Sequence, residues 1–141
     1  MFTYKHRVQF YETDMMGIVH HANYLRFYEE ARVDWAHTHG LLDYQQKNSA
    51  AQFAVLDTWV RHISPAKFGD ELEIQVQAKM EKVRITFEYQ MRCPERSKDL
   101  LSVARTMHCA LDENLKVMRL PLRMREVLEK EVWIETWLSN L

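Results

Sequence analysis

The chain carries only two cysteines, Cys93 and Cys109, and their spacing matches neither a metal site nor a redox motif. In a reducing compartment both are expected to be free thiols. An excess of one charge is missing too. The 19 basic and 20 acidic residues leave a formal net charge of −1, so no global field gathers nucleic acid or an anionic membrane. No apolar run approaches the length of a membrane span. The stretch MFTYKHRVQF lacks the continuous apolar core of a signal peptide, so the expected compartment is the cytoplasm, without integral membrane association. Repeats, low-complexity tracts and linkers are absent. What is present is 141 residues, 47% apolar and 28% charged, the size and balance of one globular domain with a real core.

Periodicity divides that domain. Residues 3–10 alternate, with Tyr4, His6, Val8 and Phe10 on one side of an expected half-buried strand. From about residue 22 the period lengthens. Tyr24, Tyr28, Ala31 and Trp35 recur at helical steps, and Leu25 and Phe27 widen the stripe. This predicts a helix of roughly 18 residues, about 27 Å long, with Gly40 as its stop. After a polar connection near Gln45–Ser49, strands are expected over 52–63, 72–80, 85–91 and 101–111. SPAKFGD and CPERSKD supply turns between them, DENL a last hairpin, and Pro121 opens a C-terminal helix. One strand, one long helix and then consecutive antiparallel strands is an α+β order. A single sheet can bury one face by curling around that helix. Its other face and its edges still need cover, which predicts an oligomer.

One stretch carries more than periodicity. YETDMMGIVHHANYLRFYEEAR, residues 11–32, is similar to the signature of the 4-hydroxybenzoyl-CoA thioesterase family of hotdog-fold proteins. Within that family it most resembles the short bacterial acyl-CoA thioesterases associated with the Tol-Pal system. The matching residues are Tyr11, Glu12, Asp14, Gly17, Val19, His21, Ala22, Tyr24, Glu29, Ala31 and Arg32, with a more generic second block at Pro65, Lys67, Gly69 and Asp70. The resemblance spans about residues 4–128. It implies one hotdog domain over 1–141: a curved antiparallel sheet of about five strands around one long helix, with a helical tail over 121–141. It further implies hydrolysis of acyl-CoA, with acyl carrier protein as the alternative carrier and with neither cofactor nor metal. The assembly it implies is a homodimer or homotetramer with sites between protomers.

Thioester hydrolysis needs a nucleophile, or a base for water, and donors facing the oxygen that becomes negative. Asp14 is the candidate for the first, attacking the carbonyl itself or deprotonating water. The helix start near His21–Tyr24 is the candidate for the second, because its first amides lack intrahelical partners and the dipole there is positive. The resemblance gives this part to the His21 amide. Gly17 lets the loop turn tightly beside substrate. Val19 is a candidate to line the acyl pocket. Tyr24 and Tyr28 both read as core with a polar tip, with either a candidate for that lining and Tyr24 the one taken as substrate-binding. Arg61, His62 and Lys67 flank the SPAKFGD turn as candidate contacts for the phosphates of CoA. The family places a basic residue followed by Ser or Thr at the later hairpin, which Arg84 and Thr86 match; Lys82 reads as solvated. Glu29 is the alternative catalytic carboxylate, set against an ion pair with Arg32. His20 and His21 offer no ligand spacing, so no metal is expected. Two alternatives stay open: an aromatic acyl-CoA hydrolase of hydroxybenzoyl or dihydroxynaphthoyl type, and a non-catalytic hotdog module binding acyl-CoA or acyl carrier protein.

Overall fold

The computed structural model describes residues 1–42 and 52–138, and the polar connection near Gln45–Ser49 lies outside them. Among these residues the elements run β1 (Phe2–Arg7), α1 (His21–Thr38), β2 (Gln52–His62), β3 (Glu71–Glu81), β4 (Arg84–Arg92), β5 (Leu100–Leu111), β6 (Val117–Met118) and α2 (Leu122–Lys130). The strands form one antiparallel sheet in the order β1-β3-β4-β5-β2, with β6 paired to β5. Five longer strands were expected; the DENL hairpin adds β6, only two residues long. None of the described helices is long and apolar enough to cross a membrane.

Helix α1 lies on the inner face because its stripe meets the alternation of the strands. Tyr24, Phe27, Tyr28, Ala31 and Trp35 are buried in one cluster with Leu72, Ile74 and Val76 of β3 and Ile85, Phe87, Tyr89 and Met91 of β4. Each large side chain so buried contributes about 1.5–3 kcal/mol. Leu25 does not widen the stripe: it is 44% exposed, because it lies about 100° around the helix from Tyr24, on the far side from Phe27. The helix stops where the glycine predicted it. Gly40 adopts φ +72°, and the bonds Leu41 N→Ala36 O and Gly40 N→His37 O close a Schellman end.

Two boundaries differ from expectation. Strand β1 ends at Arg7, and Phe10 is 76% exposed because the chain turns through a 3-10 turn at Phe10–Glu12. The helical tail ends at Lys130, with Pro121 as its N-cap, and Glu131 already has extended dihedrals. Residues 131–138 instead cross the outer face of the sheet. Gln77 donates to Ile134 O and accepts from Ile134 N, Gln90 donates to Trp137 O, and the Lys79 ammonium sits 4.5 Å above the Trp133 ring. This cover explains why Thr86, Glu88 and Gln90, read as the polar side of β4, are buried.

Among the described residues, strand β2 has no such cover. There it pairs with β5 alone, while α1 packs mainly over β1, β3 and β4. Phe53, Val55, Leu56, Trp59 and the following Ile63 are 39–57% exposed.

Candidate active site at the start of the long helix

Residues 13–19 form a tight hairpin in which Thr13 pairs with Val19. Asp14 N donates to Ile18 O at 2.8 Å and Gly17 N to Asp14 O at 3.1 Å. Gly17 takes φ +76°, the left-handed position that a three-residue hairpin loop gives to glycine. A Cβ there would meet nothing within 4 Å, so the backbone angle, not crowding, calls for glycine. The Asp14 carboxylate accepts the Met16 amide on Oδ1 at 2.8 Å. Its Oδ2 takes no hydrogen bond from a described residue.

The second block of the signature clamps this hairpin. Val19 N donates to Ala66 O at 2.8 Å, Phe68 N reaches Gly17 O, and Ile18 bridges to Lys67. The Tyr24 hydroxyl accepts the Ala66 amide at 3.1 Å; burial pushes this phenol's pKa up, so it acts as a neutral anchor. Asp70 holds the block from below, accepting the Lys67 amide and both arms of the Arg96 fork at 2.9 and 2.6 Å. The sequence reading gave Asp70 no role and left Arg96 unnoticed, because only the fold brings the CPERSKD turn beside SPAKFGD.

The helix start is fixed with equal care. His20 is the N-cap, and its Nδ1 accepts the Ala22 amide at 3.2 Å. Its own amide donates to Glu12 O at 3.0 Å, and the Asn23 side chain donates to the same carbonyl at 2.8 Å. Asn23 N returns to His20 O at 2.9 Å. Of the first three helical amides only that of His21 has no acceptor among the described residues. The His21 ring is exposed and stacks on His20 at 4.3 Å, while the capping hydrogen bond comes from the His20 ring. The Glu12 carboxylate is buried and accepts from Gln9 N at 2.7 Å and from His6 Nε2 at 2.8 Å. The positioning roles of Glu12 and Asn23 escaped the sequence reading. The capping-box spacing of Gln9 and Glu12 was the available signal.

Asp14, Val19, His21 and Tyr24 thus line one cleft of about 350 Å³, together with His62 and Ser64 from the end of β2. The His62 ring meets Tyr24 edge-on at 4.7 Å. Lys67 is exposed beside the cleft through its bridge to Ile18. Arg61 alternates to the other face of β2 and lies 5.7 Å from the Trp59 ring. Arg84 and Thr86 are not brought to this site within one chain. His62 pairs with Ser102 and Ser102 with Met91, while Arg84 lies at the opposite end of β4. Seven residues of strand separate them, about 24 Å. Glu29 also lies elsewhere, exposed beside Tyr4 and Arg26. The expected Glu29–Arg32 ion pair is not formed, and Arg32 donates instead to the Tyr89 hydroxyl at 3.2 Å.

Asp14, with one carboxylate oxygen that no described residue engages, and His21, whose helix-start amide has no acceptor among them, therefore line one cleft. Known proteins place the chain in a family. Residues 8–131 match the thioesterase-like superfamily. The acyl-CoA thioester hydrolase YbgC of Escherichia coli is 34% identical over 77 residues, which cover 55% of this chain and 58% of that protein. The crystal structure of a hypothetical protein from Aquifex aeolicus is 31% identical with a TM-score of 0.82, covering 91% of this chain and 99% of that one. A 1,4-dihydroxy-2-naphthoyl-CoA thioesterase from Synechocystis shares the fold at 23% identity and a TM-score of 0.83, covering 92% and 96%. The match spans the Asp14 loop, the long helix and every strand but β1, and the chain belongs to the thioesterase-like, hotdog-fold superfamily.

Proposed function

We propose that this chain hydrolyses acyl-CoA thioesters to the free acid and CoA. Asp14 is the nucleophile or general base, and the His21 amide polarises the thioester carbonyl. The observation that carries this reading is the shared cleft: Asp14 and His21 both line it, and no described residue engages Asp14 Oδ2 or the His21 N–H. Attack on the carbonyl carbon moves charge onto its oxygen, where the helix-start amide and dipole stabilise it. Collapse expels the CoA sulfur as thiolate, which takes a proton. With Asp14 as base, the water hydroxyl ends on the acyl carbon; with Asp14 as nucleophile, an acyl–Asp14 anhydride forms and water opens it at the Asp14 carbon, so the hydroxyl ends on the enzyme carboxylate. Lys67 at the rim offers a cation for a CoA phosphate. The uncovered β2 edge supports a homodimer, or a tetramer of two dimers. The reading places the chain in the cytoplasm, where Cys93 and Cys109, both buried and unpaired, stay reduced.

Asp14→Asn keeps the size of the side chain and removes its charge and basicity. It should lower kcat by at least about a hundredfold while KM and the fold are retained. A single turnover in ¹⁸O-labelled water then separates the two roles: attack by Asp14 leaves label in the enzyme carboxylate, and base catalysis leaves it only in the released acid. Near-normal turnover by folded Asp14→Asn would overturn the assignment and make Glu29 the carboxylate to test.

A further inference from the structure

A second cavity, of about 220 Å³, opens at the other end of α1, between the last turns of that helix, the sheet and α2. Trp35, Phe53, Phe87 and Met124 give it apolar walls, and Arg32 and His108 are its basic lining residues. Among the described residues, no acidic one lines it. Arg32 is eleven residues beyond His21, so the cavity begins about 16 Å along the helix from the Asp14 cleft of the same chain.

Its one charged donor group is underused. A guanidinium has five N–H donors, and the one hydrogen bond found for Arg32 among the described residues runs to Tyr89 Oη. That hydroxyl is already engaged with Thr106 Oγ1 at 2.7 Å, and Thr106 Oγ1 with His108 Nε2 at 2.9 Å. Burial, and then the Arg32 charge, hold His108 neutral by lowering its pKa to about 4. One fixed positive charge and apolar walls are left around a space whose described lining holds no anion. A carboxylate matches the planar guanidinium fork in geometry and in charge; an alcohol matches neither.

We propose that this cavity takes an apolar chain that ends in a carboxylate, held by the Arg32 fork. Two molecules offer that chemistry. One is the distal carboxylate of a dicarboxylyl-CoA substrate; the other is a free fatty acid, the product of hydrolysis. The choice of source rests on the thioesterase reading, whereas the binding itself does not.

Titrating the full chain with octanoate and with octanol, followed by tryptophan fluorescence, tests the site. Octanoate should bind saturably, one per chain, at least about tenfold more tightly than octanol, and Arg32→Met should weaken it by at least about tenfold. Equal binding of octanol, no saturable binding of octanoate, or undiminished binding by Arg32→Met would overturn the proposal. Where Arg32→Met does not fold, Arg32→Lys carries the test. It keeps the charge without the fork, so octanoate affinity should fall several-fold, and unchanged affinity counts against the site. Kinetics then identify the source. Preference for suberyl-CoA over octanoyl-CoA that Arg32→Met removes marks a substrate carboxylate. Inhibition of octanoyl-CoA hydrolysis by octanoate that Arg32→Met relieves marks product. Absence of any acyl-CoA turnover would count against the thioesterase reading alone, because the octanoate titration needs no catalysis.

Discussion

Position 108 holds a histidine only 4% exposed, with the Phe87 ring edge-on at 5.6 Å and the Thr106 hydroxyl at 2.9 Å. Burial, and secondarily the Arg32 charge, lower its pKa from 6.5 to about 4. An unfolded chain would protonate this ring near pH 6.5, and the folded one only near pH 4. Between those values the unfolded state binds more protons, so stability rises with pH. The contribution is complete above about pH 6.5 and is lost as the pH falls toward 4, amounting to a few kcal/mol. Urea unfolding at pH 7 and pH 5 should therefore show a lower midpoint at the acid value, and His108→Gln should flatten the difference. A slope unchanged in the variant would assign the effect to other groups.

At the scale of elements, α1 was legible because two local codes agree: a stripe at helical spacing and a glycine at the stop. The Asp14 hairpin was legible in part, since Gly17 marks its turn, but its clamp to Ala66 and Lys67 is a pairing between distant segments. Residues 131–138 were misread for the same reason. EVWIETW follows a helix without a breaker, and only the polar face of β3 and β4 tells it to run extended across Gln77 and Gln90. The polar residues of that face then look misplaced unless the tail is seen. Deleting residues 131–141 should expose Gln77, Glu88 and Gln90 and remove Leu138 from its buried position. Losing roughly 2–3 kcal/mol of burial and hydrogen bonding should lower Tm by about 5–15 °C and let the sheet bind an apolar dye. An unchanged Tm would mean that the tail covers the face without stabilising it.

Among the described residues the sheet leaves one long edge strand, β2, with no strand along its outer side and several apolar side chains exposed. Such an edge is normally covered, and a second copy of the same strand is the cover that two-fold symmetry provides. Antiparallel pairing of two copies about the middle of β2 would set His62 of one chain beside the Gln52 end of its partner. Arg84 lies two strands beyond that end, through Ala54, Cys109 and the first residue of β4. The distance from the Asp14 cleft to the other chain's Arg84 is then three strand spacings, about 14 Å, against about 24 Å within one chain. The placement of Arg84 and Thr86 far from Asp14 thus becomes intelligible, and it was invisible in the sequence because register and symmetry are not local properties. A mixing experiment decides the matter. Asp14→Asn should lack turnover, and Arg84→Ala should have a raised KM for acyl-CoA with kcat nearly kept. Co-expressed, the two variants form a heterodimer in which one site combines an intact Asp14 with an intact Arg84 from the other chain. Turnover at the wild-type KM should therefore reappear in the mixture, at about a quarter of wild-type kcat if the chains pair at random. Light scattering should report a dimer or a tetramer at micromolar concentration. If Asp14 and Arg84 served one chain's own site, every active site in the mixture would lack one of them and no wild-type KM would return. That result, or a fully active monomer, would remove the shared site and leave β2 to another partner.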